Sequence, residues 1–280
     1  MSIAIKDSRM QTGQQAAIRP ERRLPYWNQV TMMTWRSLLT MARTPAVILP
    51  ALFISGFFLF VYDATLGDAA GSIPGITDVQ YVAFILPLSV ISASLSGAGI
   101  AGQNLVRDIE SGYFDKLLLT PVSRGALIFG QILAGAVVLA IQTVIILGMG
   151  LLIGLESATG VLGLLAVLAF SMLVGIGFAG FSVGVALRSG NAAATQGASF
   201  LFFPLTFLTA TFVPVDLLGG WLETVARINP VTYVLEAMRD VLIVGWEVES
   251  IAAGLLACAV LGAIPYLFAL LSLKGRTARR

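Results

Sequence analysis

The sequence predicts an all-α integral membrane protein with six transmembrane helices, an N-terminal interfacial helix and an outer re-entrant helical hairpin. Three observations lead there. First, 57% of the 280 residues are hydrophobic and only 11% are charged, against about 25% charged in ordinary soluble domains. A soluble surface needs charge, and this chain has too little to cover its apolar bulk. Second, six stretches are long and apolar enough for a spanning helix, which needs about 20 residues. Third, the basic residues are distributed very unevenly between the connecting segments.

Taken in order, residues 1–26 read as a flexible cytoplasmic N-terminus. The first 44 residues contain no short apolar core of the kind that marks a cleaved leader, so the chain is expected to insert through its own spans. Residues 27–44 read as a helix along the membrane surface. Val30, Met33, Leu38 and Met41 recur near helical spacing, Arg36 and Arg43 share another face, and Trp27 and Trp35 suit the headgroup region. A plain juxtamembrane anchor would show the same pattern. Pro45 closes the segment.

The transmembrane domain then covers 27–273, with spans at about 45–62, 80–103, 125–153, 161–187, 192–213 and 251–273. None carries Asp, Glu, Lys or Arg in its interior. The first is short and borrows length from the segment before it. The third and fourth form an antiparallel hairpin, and Pro204 is expected to kink the fifth. Residues 274–280 form a short tail. Fifteen of the 17 Lys and Arg residues lie on the side of the two termini, and only Arg227 and Arg239 on the other. Basic residues collect on the cytoplasmic side, so both ends are expected in the cytoplasm, which requires an even number of spans.

Two connecting segments stand out. In the cytoplasmic loop between the second and third spans, Gly112 allows a sharp turn, and Phe114, Leu117 and Leu118 fall on one face of a short helix. Pro121 stops that helix, and Ser123 can cap the next. An apolar face on a cytoplasmic loop either takes a partner or lies back on the membrane. On the outer side, 214–250 carries two amphipathic stripes. Trp221, Leu222, Val225 and Ile228 make the first, and Val234, Leu235, Met238, Val241 and Leu242 the second, with Glu236, Arg239 and Asp240 on its polar side. Asn229-Pro230 breaks the two apart, giving a hairpin that dips into the outer leaflet. Such a segment must be buried in protein or face water. Glu236 and Arg239 are one helical step apart and pair with each other, or Glu236 meets a cationic substrate.

Several catalytic readings fail. Gly175–Gly180 fits the dinucleotide-binding glycine pattern but lies inside a span, without the strand that pattern requires. Gly180-Phe-Ser-Val-Gly184 fits the nucleophile-elbow pattern, but the chain has no histidine to serve a triad. Gly177, Gly180 and Gly184 read better as a small-residue helix face, and Ser89, Ser92 and Ser96 as packing positions in preference to the lining of a path. The single cysteine, Cys258, sits in an apolar run and makes neither a disulfide nor a metal cluster. No phosphate-binding loop ending in Gly-Lys occurs, so the chain is not expected to be an enzyme or to bind ATP itself. Ion-driven transporters carry ionisable groups inside the bilayer, and these spans carry none. What remains is a membrane scaffold or a transporter powered by a cytoplasmic partner, with a secondary transporter the weaker alternative.

Three stretches narrow the choice: Arg43-Thr-Pro45 followed by Pro50; Glu110-Ser-Gly112 through Leu117, Thr120-Pro121 and Arg124; and Phe212-Val-Pro214 through Trp221, Asn229-Pro230, Tyr233 and Met238-Arg239. In them, and over nearly all the chain from Trp27, the sequence resembles the membrane subunits of type 2 ABC exporters, the daunorubicin-resistance-like drug-export permeases. The resemblance implies an exporter built from two permeases, a second copy of this chain or a homologue, and two separate ATPase subunits that carry the ATP and Mg. This chain would hold no cofactor or metal, would sit in the cell membrane and would bind no nucleic acid. Glu110, Gly112, Phe114, Asp115, Leu117, Leu118, Thr120, Pro121 and Arg124 would form the ATPase-coupling loop. Pro214, Trp221, Asn229, Pro230, Tyr233, Glu236 and Arg239 would form an outer gate. The short outer loop at 63–79 departs from branches with large extracellular domains. The charge-free spans suit an apolar or amphiphilic substrate such as a drug or lipid.

Overall fold

The computed structural model describes residues 24–44, 49–50, 52–57, 59–61, 64, 78–209, 215 and 218–278. Among them every regular element is helical. The order is α1 (Tyr26–Ala42), α2 (Leu52–Val61), α3 (Asp78–Glu110), α4 (Tyr113–Leu118), α5 (Arg124–Ile153), α6 (Gly160–Ser189), α7 (Ala192–Ser199), α8 (Phe202–Phe207), α9 (Trp221–Ile228), α10 (Pro230–Ile243) and α11 (Val248–Ala278).

Among the described residues four helices, α3, α5, α6 and α11, are long and apolar enough to cross a membrane. Of the first expected span, 45–62, the described residues include 49–50, which are helical, and those of α2, and its beginning lies outside them. The expected fifth span, 192–213, is not one helix. It breaks at Phe200 and Leu201 into α7 and α8. Pro204 explains the position, because its missing N–H and its ring disrupt the bond to the carbonyl four residues back, at Phe200. Residues 210–213 of that stretch lie outside the described set. The second expected span also runs on: α3 continues about two turns past 103 to Glu110 and carries Asp108 with it.

α6 is central, packed against α3, α5 and α11. Its contact with α11 depends on small residues. A methyl on Gly177 would strike the Leu261 carbonyl, and one on Gly184 would strike the Phe268 ring. Close approach of this kind maximises the van der Waals contact that holds helices together in lipid. The packing brings the helix ends into two groups. One end holds Asp108, Arg124, Arg188 and Arg276. The other holds the α5–α6 connector and α10, joined by bonds from Ala158 N to Leu242 O (2.7 Å) and Thr159 Oγ1 to Val241 O (2.7 Å). Those two bonds satisfy carbonyls that the end of α10 would otherwise leave open.

Candidate functional site

At the basic end, α1 does more than lie on a surface. Val30, Thr34, Ser37 and Met41 are buried, while Trp27, Met32, Trp35 and Leu39 are exposed. Of the expected stripe, Val30 and Met41 are buried and Met33 and Leu38 half-buried, and Thr34 and Ser37 join them. The reason lies in α5, where Gly130 has no side chain. A methyl there would come within 2.5 Å of Met33 Cβ and 3.2 Å of Thr34 N, so the backbone of α1 nests directly on α5.

That docking builds a polar cluster across three helices. Arg36 Nη2 donates to Asp108 Oδ1 at 2.6 Å, and Gln131 Nε2 donates to Asp108 Oδ2 at 3.1 Å. Asn104 Nδ2 donates to Gln131 Oε1 at 3.2 Å. The Arg36 guanidinium also lies over the Tyr113 ring, 4.2 Å from its centre, a geometry in which the ring's negative face attracts the cation. A second strut joins the start of α1 to the start of α5. Gln29 Oε1 accepts from Ser123 N at 2.7 Å, while its amide donates to Leu24 O. Sequence reasoning missed this cluster and placed Arg36 only on a face shared with Arg43. Its partner lies 72 residues away, beyond any local spacing signal; the available hint was polar Gln131 within an apolar span.

The loop that follows α3 hangs from this cluster. Gly112 takes a left-handed conformation (φ 69°), which reverses the chain into α4 at no steric cost. Phe114 is buried, and Leu118 partly buried, in a core shared with Met41, Leu105, Val106 and Ile128, and Leu117 is buried as well. The apolar face expected to meet a partner is thus turned onto the protein's own body. Asp115 is half-buried. Glu110, Tyr113, Lys116, Thr120, Pro121 and Arg124 are exposed, and so is Leu119, at 87%. Ser123 Oγ caps α5 by accepting from Ala126 N at 3.3 Å.

At the opposite end, Asn229 is the hinge of the α9–α10 pair. Its Oδ1 caps α10 by accepting from Val231 N at 3.0 Å, and its Nδ2 donates to Leu205 O (2.6 Å) and Leu208 O (2.9 Å). It thereby ties the hairpin to the end of α8, whose last carbonyls have no partner further along the helix. Pro230 starts α10, a position where its lost N–H is harmless. Tyr233 Oη donates to Arg227 O at 2.6 Å, closing the corner. Trp221 and Ile228 on α9 are exposed, and Glu223 pairs with Arg227 at 3.0 Å. Pro214 lies outside the described residues.

α10 differs from the expected amphipathic helix because Arg239 is buried, at 4% exposure. Its Nε donates to Phe84 O at 2.9 Å, and its guanidinium lies 3.6 Å from the centre of the Phe84 ring. Pro87 disturbs this turn of α3 by removing the N–H that would reach Ala83, and the neighbouring carbonyl takes the arginine. Glu236 and Asp240 add negative potential beside it. Val234, Leu235, Met238, Val241 and Leu242 are fully buried around it.

Residues 28–243 match the family model described as ABC-2 type transporter. The chain belongs to that family. Its members are the membrane permease subunits of ABC transporters. Among its curated relatives is a probable doxorubicin resistance ABC transporter permease, DrrC of Mycobacterium tuberculosis. It is 26% identical over 246 residues, covering 85% of this chain and 88% of that protein. The daunorubicin resistance permease DrrB1 of Streptomyces coeruleorubidus is 24% identical over 211 residues, covering 74% and 72%. A probable multidrug permease of Escherichia coli, YbhR, is 23% identical over 167 residues, covering 59% and 45%.

Proposed function

We propose that this chain is the permease subunit of an ATP-driven exporter for an apolar or amphiphilic substrate, a drug or a lipid. It works with a second copy of itself or a homologous permease and with two separate ATPase subunits, which carry the ATP and Mg. In this reading it sits in the cell membrane with both termini cytoplasmic, α2 and the broken α7–α8 pair complete six spans, and the α9–α10 hairpin caps the path from outside. The supporting resemblance is to relatives named for doxorubicin, daunorubicin and multidrug transport.

One observation carries the reading. The 111–124 loop is anchored from within by Phe114 and Leu117 and braced through Arg36 and Asp108, yet it offers an outward face with Leu119 almost fully exposed. A loop held that firmly can pass a push from a cytoplasmic ATPase into α1, α3 and α5. Glu110, Tyr113, Lys116, Leu119, Thr120 and Pro121 are then the contacts, and Phe114, Leu117 and Leu118 the anchor. Burying one leucine contributes about 1.5–3 kcal/mol, so Leu119→Asp should weaken ATPase binding at least about ten-fold. The test is co-purification of the ATPase with full-length Leu119→Asp protein that remains monodisperse. Stoichiometric ATPase and undiminished export in that variant would sink the assignment of this face.

A further inference from the structure

We propose that the cleft between the basic ends of α6 and α11 binds one anionic phospholipid, its phosphate held by Arg188 and Arg276 and an acyl chain laid along Leu187, Phe268 and Leu271. These residues line a cavity of about 430 Å³, together with Ser272. Arg276 Nη1 donates to Leu187 O at 3.2 Å, at the end of α6. That bond explains one corner of the guanidinium as a helix cap. It does not explain Nε, which is buried without a partner, or Ser272 Oγ, which is buried without one too. A buried donor left unpaired costs about 1–3 kcal/mol, and a guanidinium can only donate. Those two atoms are closed to the cavity as it stands, but the rest of the guanidinium lines it beside Arg188, so the group it would receive is an acceptor. Two arginines border the cavity and, among the described residues, no carboxylate lines it, so the acceptor is an anion.

The apolar wall decides between a lipid and a free anion. Val260, Ile264, Leu267 and Leu271 are exposed along one face of α11, at the spacing of a single helix stripe. The stripe runs down to the cavity and ends at the arginines. A hydrocarbon chain on it and a phosphate at its foot satisfy both halves, whereas inorganic phosphate would leave the stripe unused. Basic pockets between membrane helices on the cytoplasmic side suit anionic headgroups. The leaflet, though not the charge of the lipid, rests on the orientation proposed above.

The full-length chain in nanodiscs of equal phosphatidylglycerol and phosphatidylcholine, released and weighed by native mass spectrometry, tests the site. One phosphatidylglycerol should be retained per chain in preference to phosphatidylcholine. Arg188 is exposed and caps no helix, so Arg188→Gln should fold normally and lower that retention about five-fold. Adding Arg276→Gln should bring the loss to about thirty-fold. Equal retention of the two lipids would overturn the proposal. So would phosphatidylglycerol retention unmoved by Arg188→Gln, or protection of the site by inorganic phosphate without preference between the lipids. An inverted topology, read by cysteine labelling, would move the site to the other leaflet and leave the charge selectivity intact.

Discussion

Replacing Asp108 tests whether the loop is truly braced by α1. The carboxylate accepts from Arg36 at 2.6 Å and from Gln131 at 3.1 Å, and the two side chains of the ion pair are 25% (Arg36) and 9% (Asp108) exposed. Breaking a buried pair costs about 3–5 kcal/mol because the survivor keeps an uncompensated charge. Arg36 can recover some hydration through its exposed quarter, which lowers the expected loss for Asp108→Leu to about 2–3 kcal/mol. In a cycle with Arg36→Met the double variant escapes the uncompensated charge, and the coupling between the two sites should be about 1–2 kcal/mol. Two of the four tryptophans, Trp27 and Trp35, lie on α1, so fluorescence reports its release directly. The assay is equilibrium unfolding in mixed micelles with increasing denaturing detergent. An Asp108→Leu protein as stable as the parent, or a coupling below about 0.3 kcal/mol, would show that α1 is held by Gly130 packing alone. The brace would then have no part in transmission.

Other perturbations separate the remaining contacts. Asn229→Ala removes bonds to Leu205 O, Leu208 O and Val231 N together. At about 1 kcal/mol each, it should destabilise the hairpin by about 2–3 kcal/mol, and amide exchange should quicken in α9 and α10 before α5. Gly177→Val would push Leu261 off α6, and overpacking of this kind costs about 1–3 kcal/mol; a melting point within a degree of the parent would contradict the packing. With Cys258 changed to Ala, Gly220→Cys should react with an impermeant thiol reagent from outside and Lys274→Cys only after permeabilisation. External labelling of Lys274→Cys would reverse the topology.

The difference between Leu117 and Leu119 shows where sequence patterning stops. Phe114, Leu117 and Leu118 were legible as a face because helical spacing is local. Whether that face meets another protein or the chain's own core depends on what α1 and α3 bring up beneath it. Arg239 makes the same point at the other end. Beside Glu236 and Asp240 it reads as the polar edge of an amphipathic helix. Only the packing of α10 on α3 shows it reaching the Phe84 carbonyl, next to a turn loosened by Pro87. Asn229-Pro230, by contrast, was readable as a break between helices, because proline fixes its own φ and biases the residue before it.

By itself the sequence determined that the chain is helical and belongs in a bilayer, where its main helices run, and which ends gather the positive charge. These follow from hydropathy over a window of about 20 residues and from the cost of carrying Lys and Arg across a membrane, and neither needs a neighbour. The tertiary structure decided that α3 runs on to deliver Asp108 to Arg36 and that α4 turns Phe114 inward and Leu119 out. It also decided that Arg276 caps α6 with one nitrogen and leaves another buried without a partner. A side chain's local pattern states only what it prefers to be near. What it meets is set by other helices, some of them 70 or more residues away, through close approaches such as Gly130 on Met33 that no periodicity encodes.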